Sequence, residues 1–499
     1  MKAIFKNIGP VKKAELELKD LTIIAGPNNT GKTYLAYTLY GFLKMAQNPS
    51  FLRQQKVIDL PLEPHKALQV ILDNFDHGFS EPDKKNSLLQ VKKILEIIRD
   101  SGFEPDDEVV QDILDSGTAQ FPVKDFDKTA QKVFDSAFLK TAEPISVILN
   151  SPSDDFKEAD FSFSPDYDRR ETAIEFGWDR KGDFKLTASF EKGILTFHLE
   201  NHQASLPSPI IKNMIDMAFI ALCSPKLPKP FILASERLGI SLFYKELDFT
   251  KSRLLEIFQK MKDRENFKNF KSYLLLMDHI SSRYAQPIKD NINYARDLES
   301  VQKKRALLFD SKLFDNIKEM LGGYFKYEGY GVRFISKARK NGQFNISLHS
   351  ASSSARGLCD LYFFLKHTAH ENQLLIIDEP ESHLDTANQI EMARLLARCV
   401  NSGLKVLITT HSDYIIKEFN NLIMLSHDFS GKEKFLKKYS NVYGEHDYLK
   451  QESVAAYICK NGALGACEVD NLGLNMPNFD RTIDQINLIA NELALSVEN

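Results

Sequence analysis

The segment from Gly26 to Thr33 has the residue types and the spacing that bind a chain of phosphate groups. Its sequence, GPNNTGKT, fits the pattern G-x-x-x-x-G-K-[ST] at every fixed position. The glycines let backbone N–H groups turn towards the phosphates, the Lys32 ammonium neutralises phosphate oxygens, and the Thr33 hydroxyl suits Mg²⁺. We therefore predict that the phosphates of ATP are bound by Asn28, Asn29, Thr30, Gly31, Lys32 and Thr33. Thr33 is also predicted to bind the Mg²⁺ ion.

A second candidate group follows the apolar run Leu374–Ile377, where Asp378 and Glu379 stand side by side. Asp378 is placed to hold Mg²⁺, and Glu379 to act as the base or water-positioning group for attack on the γ-phosphate. Two acids at a strand end are also common in solvated turns. The phosphate-binding motif on the same chain favours the catalytic interpretation.

Two further positions could reach a γ-phosphate. His411 ends the apolar run Val406–Thr410, although a single histidine there is often only structural. Ser352, Ser353 and Ser354 open a predicted helix, and serine hydroxyls with free N–H groups at a helix start suit an anion. Ordinary N-capping is the alternative for these serines.

The elements that must position these residues are predicted from apolar patterns. Leu21–Ala25 is a short buried strand, and apolar residues then recur at helical spacing from Thr33 to Met45. Residues 2–8 and 14–18 alternate as in a β-hairpin. The later elements are predicted as strands at 231–234, 374–377 and 406–410 and a helix at 386–402. This alternation predicts an α/β fold around a parallel sheet.

The domain organisation is predicted from the intervening stretches. Residues 1–240 would form the first half of the nucleotide core, with a helical and β insertion at about 46–225. Charged, helix-favouring residues at 241–320 suggest a helical arm for dimerisation or partner binding. Residues 321–430 would complete the core, and 431–499 would form a helical tail.

Composition narrows the class of protein. The chain has 499 residues with 64 basic and 68 acidic side chains, so no global positive field favours nucleic acid. The five cysteines lack the paired spacing of zinc sites or disulfide frameworks. No segment has the length and apolarity of a signal peptide or membrane span. We expect a cytoplasmic protein with no membrane partner.

Four segments together resemble the ABC/SMC-type ATPase head, and more closely the overcoming-lysogenization-defect (OLD) and RecF-like branch of AAA-type ATPases. They are FKNIGPVKKAELELKDLTIIAGPNNTGKT, ILASERLGI, LLIIDEPESHLD and LITTHSDYII. The resemblance covers about 1–45, 228–240 and 320–425. It implies an α/β ABC-type P-loop head, in which a parallel sheet is joined by an antiparallel β subdomain and a helical arm is inserted.

The resemblance also implies how the site is completed. In that family ATP closes a dimer, because the serine-bearing signature helix of one subunit meets the nucleotide of the other. Ser352–Ser354 would then face the partner's γ-phosphate, Asp385 would belong to the D-loop, and His411 would be the switch histidine. Three serines replace the usual serine-glycine-glycine, so which serine makes the contact stays open.

A biological role follows by the same resemblance. Many OLD relatives carry a TOPRIM nuclease after the ATPase, but the roughly 70 residues after 430 are too few for one. The chain therefore resembles stand-alone ATPase subunits such as those of the Septu and PARIS anti-phage systems. These relatives imply a sensor or scaffold that controls a separate nuclease or toxin effector and responds to a phage protein.

Two other functions stay open at this point. The first is a DNA-repair or recombination ATPase of the RecF and SMC type that clamps duplex DNA. Its basic patch would be Lys251, Arg253, Lys260, Lys262, Arg264, Lys268 and Lys271. Acidic residues interleave with these, as on an ordinary solvated helix face. The second is a nucleotide-binding structural module with little or no turnover.

Overall fold

The computed structural model describes most of the nucleotide core and parts of the intervening segments. The described residues are 1–47, 112–113, 115–116, 118–122, 126–138, 142–165, 173–178, 184–191, 194–200, 215–216, 227–243, 284–306, 308, 311–329, 331–337, 342–444, 447–476 and 488–490. The chain divides into two compact units. The smaller contains Met1–Lys2, Phe42–Pro144 and Ser162–Leu227, and the larger contains Ala3–Gly41, Ile145–Phe161 and Pro228–Asn499.

The strands, in chain order, are β1 (Lys2–Ile8), β2 (Val11–Glu17), β3 (Leu21–Ala25), β4 (Thr118–Pro122), β5 (Asp160–Ser164), β6 (Ala173–Trp178), β7 (Phe184–Glu191), β8 (Ile194–Glu200), β9 (Pro230–Leu233), β10 (Gly323–Glu328), β11 (Gly331–Ser336), β12 (Asn345–Ser347), β13 (Leu374–Asp378), β14 (Lys405–Thr410), β15 (Val454–Lys460), β16 (Ala463–Cys467), β17 (Val469–Asp470) and β18 (Gly473–Leu474). The helices that we number are α1 (Lys32–Gln47), α2 (Phe126–Phe138), α3 (Ala142–Leu149), α4 (Gln286–Arg296), α5 (Leu298–Val301), α6 (Ser311–Leu321), α7 (Ser353–His367), α8 (Thr386–Asn401), α9 (Asp413–Ser426) and α10 (Lys432–Lys438).

A nine-stranded sheet carries the predicted site, in the order β5-β1-β2-β16-β15-β3-β14-β13-β9. Strands β15, β3, β14, β13 and β9 are parallel to one another. Thr409 of β14 lies opposite both Ile24 of β3 and Asp378 of β13, so the carboxyl ends of these strands meet at one edge. This register brings the phosphate-binding segment and the acidic pair together.

The centre of the sheet is buried on both faces, which explains its unbroken apolar strands. Every residue of β3 and of β13 is buried. Helix α7 contributes a run of aromatic side chains to the same core, in which the Phe364 and Phe231 rings stack with centroids 4.1 Å apart. Strands covered on both faces lose the polar alternation of half-exposed ones. The predicted α/β fold class around a parallel sheet is thereby confirmed.

The helical tail predicted for residues 431–499 is wrong for much of its described part. Helix α10 and residues 488–490 are helical as predicted, whereas β15 and β16 belong to the central sheet. Residues 454–458 of β15 pair with the whole of β3, and the first four residues of β15 are buried. The run Val454–Cys459 covers a core strand that would otherwise expose an unpaired edge, and this pairing decides its conformation.

The outer elements agree with the patterns where the structure describes them. Strands β4, β8, β7 and β6 form an antiparallel sheet within the predicted helical and β insertion. The antiparallel β subdomain is β10-β11-β12. Residues 48–111 of the insertion and 244–283 of the arm lie outside the described residues. The domain boundaries at 240, 320 and 430 stay predictions.

Among the helices that the structure describes, none combines enough residues with enough apolar character to cross a bilayer.

Candidate nucleotide site

The phosphate-binding segment joins β3 to α1 through backbone conformations that favour glycine. Gly26 has φ of +142° and Gly31 has φ of +101°. A Cβ atom on Gly26 would lie 2.3 Å from the carbonyl oxygen of Cys459, and one on Gly31 would lie 2.4 Å from a methyl of Val11. The segment is therefore packed tightly between β15 and the turn after β1. Only residues without a side chain fit at these two points.

Lys32 is held inside this segment with only 5% of its surface exposed. Its ammonium donates to the Gly26 carbonyl at 3.0 Å and to the Pro27 carbonyl at 2.9 Å. An ammonium has three N–H donors, so one donor has no hydrogen-bond partner among the described residues. Burial lowers the pKa of Lys32, and the charges of Cys459, Glu379 and Asp378 oppose that shift. A phosphate oxygen would supply the missing acceptor.

Thr33 and Asp378, which are 345 residues apart in sequence, meet at the start of α1. The Thr33 hydroxyl lies 3.2 and 3.0 Å from the two carboxylate oxygens of Asp378. Thr409 also donates to Asp378, which is fully buried. Burial raises the pKa of this carboxyl. Hydroxyl and carboxylate oxygens are the ligands that Mg²⁺ prefers, so this pair fits the metal that accompanies a nucleotide.

Glu379 adopts a left-handed backbone conformation, with φ of +51°. Its N–H donates to the Thr409 carbonyl at 3.1 Å, which fixes the turn at the end of β13. Its carboxylate accepts a hydrogen bond from Ser382 at 3.0 Å and lies 3.7 Å from Nε2 of His411. The side chain is 36% exposed, so water can reach it. This is the environment that a base acting on water requires.

His411 is brought into the site as the sequence predicts. Its backbone N–H donates to Glu381 at 2.6 Å, and its ring stands near both Glu379 and Lys32. Burial lowers the pKa of the imidazole, and the positive charge of Lys32 lowers it further. The neutral ring therefore dominates at pH 7 and can share a proton between a donor and an acceptor.

Sequence reasoning missed Arg237, which follows β9 and is 4% exposed. Its guanidinium donates to the carbonyls of Ala234 at 3.1 Å, Asp378 at 2.8 Å and Glu379 at 2.7 Å. It thus holds the backbone of the acidic pair in place. The signal was a charged residue four positions after the end of a core strand, but nothing in the sequence identified its partners.

Glu381 and Cys459 are two further residues that the sequence patterns did not identify as site residues. Glu381 accepts hydrogen bonds from the Thr410 hydroxyl and the His411 N–H, and burial raises the pKa of its carboxyl. The Cys459 thiol lies 3.1 Å from the Thr30 carbonyl oxygen. Glu381 thus holds the end of β14, and Cys459 links β15 to the phosphate-binding segment.

Among the described residues, the side chains of the other predicted residues form no hydrogen bond with Lys32 or the acidic pair. Asn28 and Asn29 are exposed, and the Thr30 hydroxyl donates to Pro27 at 2.9 Å. Ser352 caps α7 by accepting from the Ala355 N–H at 3.2 Å, and Asp385 caps α8 by accepting from the Asn388 N–H at 3.0 Å. The capping alternative given for the serines therefore describes Ser352 within one chain. Ser353 and Ser354 are half-buried in the first turn of α7.

A family model described as an AAA ATPase domain matches residues 1–416. The chain belongs to this family. A curated relative, ABC transporter G family member 17 of Dictyostelium discoideum, is 25% identical over 133 residues, which are 25% of this chain. The chain spans about 9% of the length of that relative.

Solved structures similar to this AAA ATPase are heads of SMC proteins. One is the Smc head bound to the C-terminal winged-helix domain of ScpA, with 13% identity, 93% of this chain and 95% of that chain covered, and a TM-score of 0.31. Another is the Smc head with an extended coiled coil bound to the C-terminal domain of ScpA from Pyrococcus furiosus, with 10% identity, 98% coverage of both chains and a TM-score of 0.29. A third is the SMC head domain from Thermotoga maritima, with 11% identity, 94% and 98% coverage and a TM-score of 0.24.

Family membership and the described site agree with each other. The chain carries the P-loop nucleotide site of an AAA ATPase domain.

Proposed function

We propose that this AAA ATPase hydrolyses ATP at the junction of β3, β13 and β14. The observation that carries the proposal is the contact between Thr33 and Asp378 at 3.0 Å, because it unites the two halves of the predicted site. A phosphate-binding segment without an adjacent acid would bind anions only. Here the acid-bearing strand ends beside it, as phosphoryl transfer requires.

Each side chain of the site has its own proposed role in ATP hydrolysis. The third Lys32 donor binds phosphate oxygens, and Thr33 with Asp378 would hold Mg²⁺, which neutralises charge that develops on the phosphates. The Glu379 carboxylate orients and deprotonates the attacking water. The neutral His411 ring, whose Nε2 lies 3.7 Å from the Glu379 carboxylate, would contact the γ-phosphate.

We further propose that two chains bind ATP between them. Support comes from Ser352–Ser354 and Asp385, which make no contact with Lys32 or the acidic pair within the described part of one chain. The N–H groups of Ser353 and Ser354 have no hydrogen-bond partner among the described residues, and such groups beside partly exposed hydroxyls attract an anion. A nucleotide that binds only the closed pair would shift the population towards the dimer.

The biological role that we propose is the cytoplasmic sensor or scaffold subunit of an anti-phage defence system. ATP-dependent assembly would hold or release a separate nuclease or toxin effector in response to a phage protein. This step rests on the resemblance to stand-alone defence ATPases. The DNA-clamp alternative depends on basic residues at 251–271, which lie outside the described residues.

Glu379→Gln separates binding from turnover, because the amide keeps the shape of the side chain and cannot accept a proton. We expect ATP affinity and ATP-dependent dimerisation to persist, while phosphate release falls by about a hundredfold or more. Lys32→Ala should abolish binding. Phosphate release, a fluorescent-nucleotide titration and light scattering would measure these effects, with Glu299→Gln as a surface control.

Unchanged turnover in Glu379→Gln would remove Glu379 from the mechanism. A monomer at saturating ATP would reject the dimer proposal and leave the site proposal intact. For the defence role, cells carrying this gene with its neighbouring genes should resist phage, and Lys32→Ala should remove the resistance. Equal plaque counts for both would reject that role.

A further inference from the structure

The segment after α9 places several lysines and aromatic rings on one surface. Helix α10 has the sequence KEKFLKK, with four lysines in seven residues. We call the exposed group formed by Phe429, Lys434, Phe435, Lys437 and Lys438 the lysine–aromatic surface. It belongs to no part of the nucleotide site described above.

Apolar contacts orient the helix. Leu436 packs against the main hydrophobic core, which turns the other side chains outwards. Lys432 is partly buried, donates to the His427 carbonyl at 3.0 Å and pairs with Asp428 at 3.6 Å. Lys434, Lys437 and Lys438 are exposed, and none of them forms an ion pair within the part of the chain that the structure describes. Their charges are therefore available to a partner.

The aromatic rings lie among these charges and remain open to solvent. Phe435 is 37% exposed and Phe429 is 43% exposed. The Phe435 ring lies 4.7 Å from the Tyr439 ring and 6.3 Å from the Phe429 ring, measured between centroids. The Lys438 ammonium stands 4.9 Å from the Tyr439 centroid. Large apolar rings exposed together are uncommon on a surface that has no binding role.

We propose that the lysine–aromatic surface binds single-stranded nucleic acid. Lysines that flank aromatic rings match the two parts of that ligand, since ammonium groups pair with phosphates and rings stack with unpaired bases. The charge is local, because Glu433 is the only acid within α10 while the whole chain carries a net charge of −4. An acidic protein would pair with the lysines, but its carboxylates would not stack on the exposed rings.

The surface lies far from the predicted phosphate position. His411, which lies beside the acidic pair, precedes the first residue of α9. Helix α10 follows the last residue of α9. A helix of 14 residues is about 21 Å long, which exceeds the reach of any side chain. ATP and nucleic acid should therefore bind independently at equilibrium unless the conformation changes. Loss of one site would not imply loss of the other.

Fluorescence anisotropy of a labelled 20-nucleotide oligothymidine with the full chain tests the proposal. The triple variant Lys434→Gln, Lys437→Gln and Lys438→Gln removes three charges. The control triple variant Lys157→Gln, Lys303→Gln and Lys337→Gln removes three charges that already face carboxylates at 3.0, 3.7 and 3.7 Å. If each lysine contacts one phosphate, the slope of log affinity against log salt should become less steep by about 2 in the first variant only.

Phe435→Leu keeps an apolar side chain and removes the stacking ring. We expect about a tenfold loss of affinity with an unchanged salt slope, because base stacking carries no counterion release. Lys32→Ala should bind the oligonucleotide as the wild type does. That result would hold even if the proposed ATPase mechanism failed, so the two proposals can be separated.

Three results would overturn the inference. The first is no binding of the oligonucleotide by the wild type at 50 mM salt. The second is an equal loss of affinity in the two triple variants, which would indicate a net-charge effect. The third is binding to vesicles of anionic phospholipid or to polyglutamate, weakened by the first variant, without binding to the oligonucleotide.

Discussion

Arg237 should control the rate of ATP hydrolysis without touching the nucleotide. Its guanidinium donates to the backbone carbonyls of Asp378 at 2.8 Å and Glu379 at 2.7 Å. Glu379 has φ of +51°, a conformation that costs a non-glycine residue roughly 1–3 kcal/mol and persists only where its surroundings hold it. Arg237 is therefore a positioning residue for the proposed base.

Arg237→Met replaces the guanidinium by an apolar chain of similar length. Hydrogen bonds to a charged group contribute about 1.5–3 kcal/mol each, and the variant loses three of them. Partial relaxation should reduce the total loss of stability to about 3–5 kcal/mol. If Glu379 then keeps its position in only about 1% of molecules, kcat should fall by about a hundredfold, which corresponds to about 2.7 kcal/mol. ATP affinity should change little, because Lys32 and Thr33 keep their places.

Single-turnover phosphate release and a nucleotide-binding titration measure the two effects separately. Arg398→Met is the matched control, since Arg398 donates at 2.7 Å to the buried Asp447 and has no contact with the site residues among those described. Both variants should lower the melting temperature, and only Arg237→Met should lower kcat. An equal fall of kcat in both, or an unchanged kcat in Arg237→Met, would refute the positioning role.

Two further predictions concern glycine packing and pH. Gly26→Ala should abolish ATP binding, because its Cβ would lie 2.3 Å from the Cys459 carbonyl oxygen, whereas Gly239→Ala, with nothing within 4 Å, should bind normally in the same titration. Burial raises the pKa of Asp360 to about 7, so the native state binds more protons than the unfolded state between about pH 4 and pH 7, and stability falls as pH rises through this range. Asp360→Asn removes this loss of stability. The free energy of unfolding of the variant minus that of the wild type, measured by urea denaturation, should therefore rise by about 3 kcal/mol from pH 5 to pH 8. A difference that does not change with pH would refute the proposed protonation of Asp360.

The parts of the nucleotide site that could be predicted are those in which the chemistry requires particular residue types at short spacing along the chain. The segment Gly26–Thr33 has fixed residue types, and a buried strand and a helix must flank it for the motif to function. Asp378 and Glu379 end an unbroken apolar strand, and His411 ends the next one along the sheet. Parallel strands place their carboxyl ends at one edge, so the sequence order alone brought these residues together.

The C-terminal strand was not predictable in the same way. A short apolar run such as Val454–Cys459 fits a buried helix as well as a buried strand, and its alanines favour the helix. Its conformation is decided by the free edge of β3, which is 430 residues earlier in the chain. Only the folded sheet brings the Cys459 carbonyl against Gly26.

Residue type and short-range order were enough to predict the phosphate-binding segment, the acidic pair, the histidine and the α/β class. Only the folded chain shows that Arg237 supports the backbone of Glu379, that Glu381 accepts from the His411 N–H, and that the Cys459 carbonyl lies against Gly26. These contacts join main-chain groups of distant segments. A backbone carbonyl or N–H has the same chemistry in every residue, so its partner leaves no mark in the sequence.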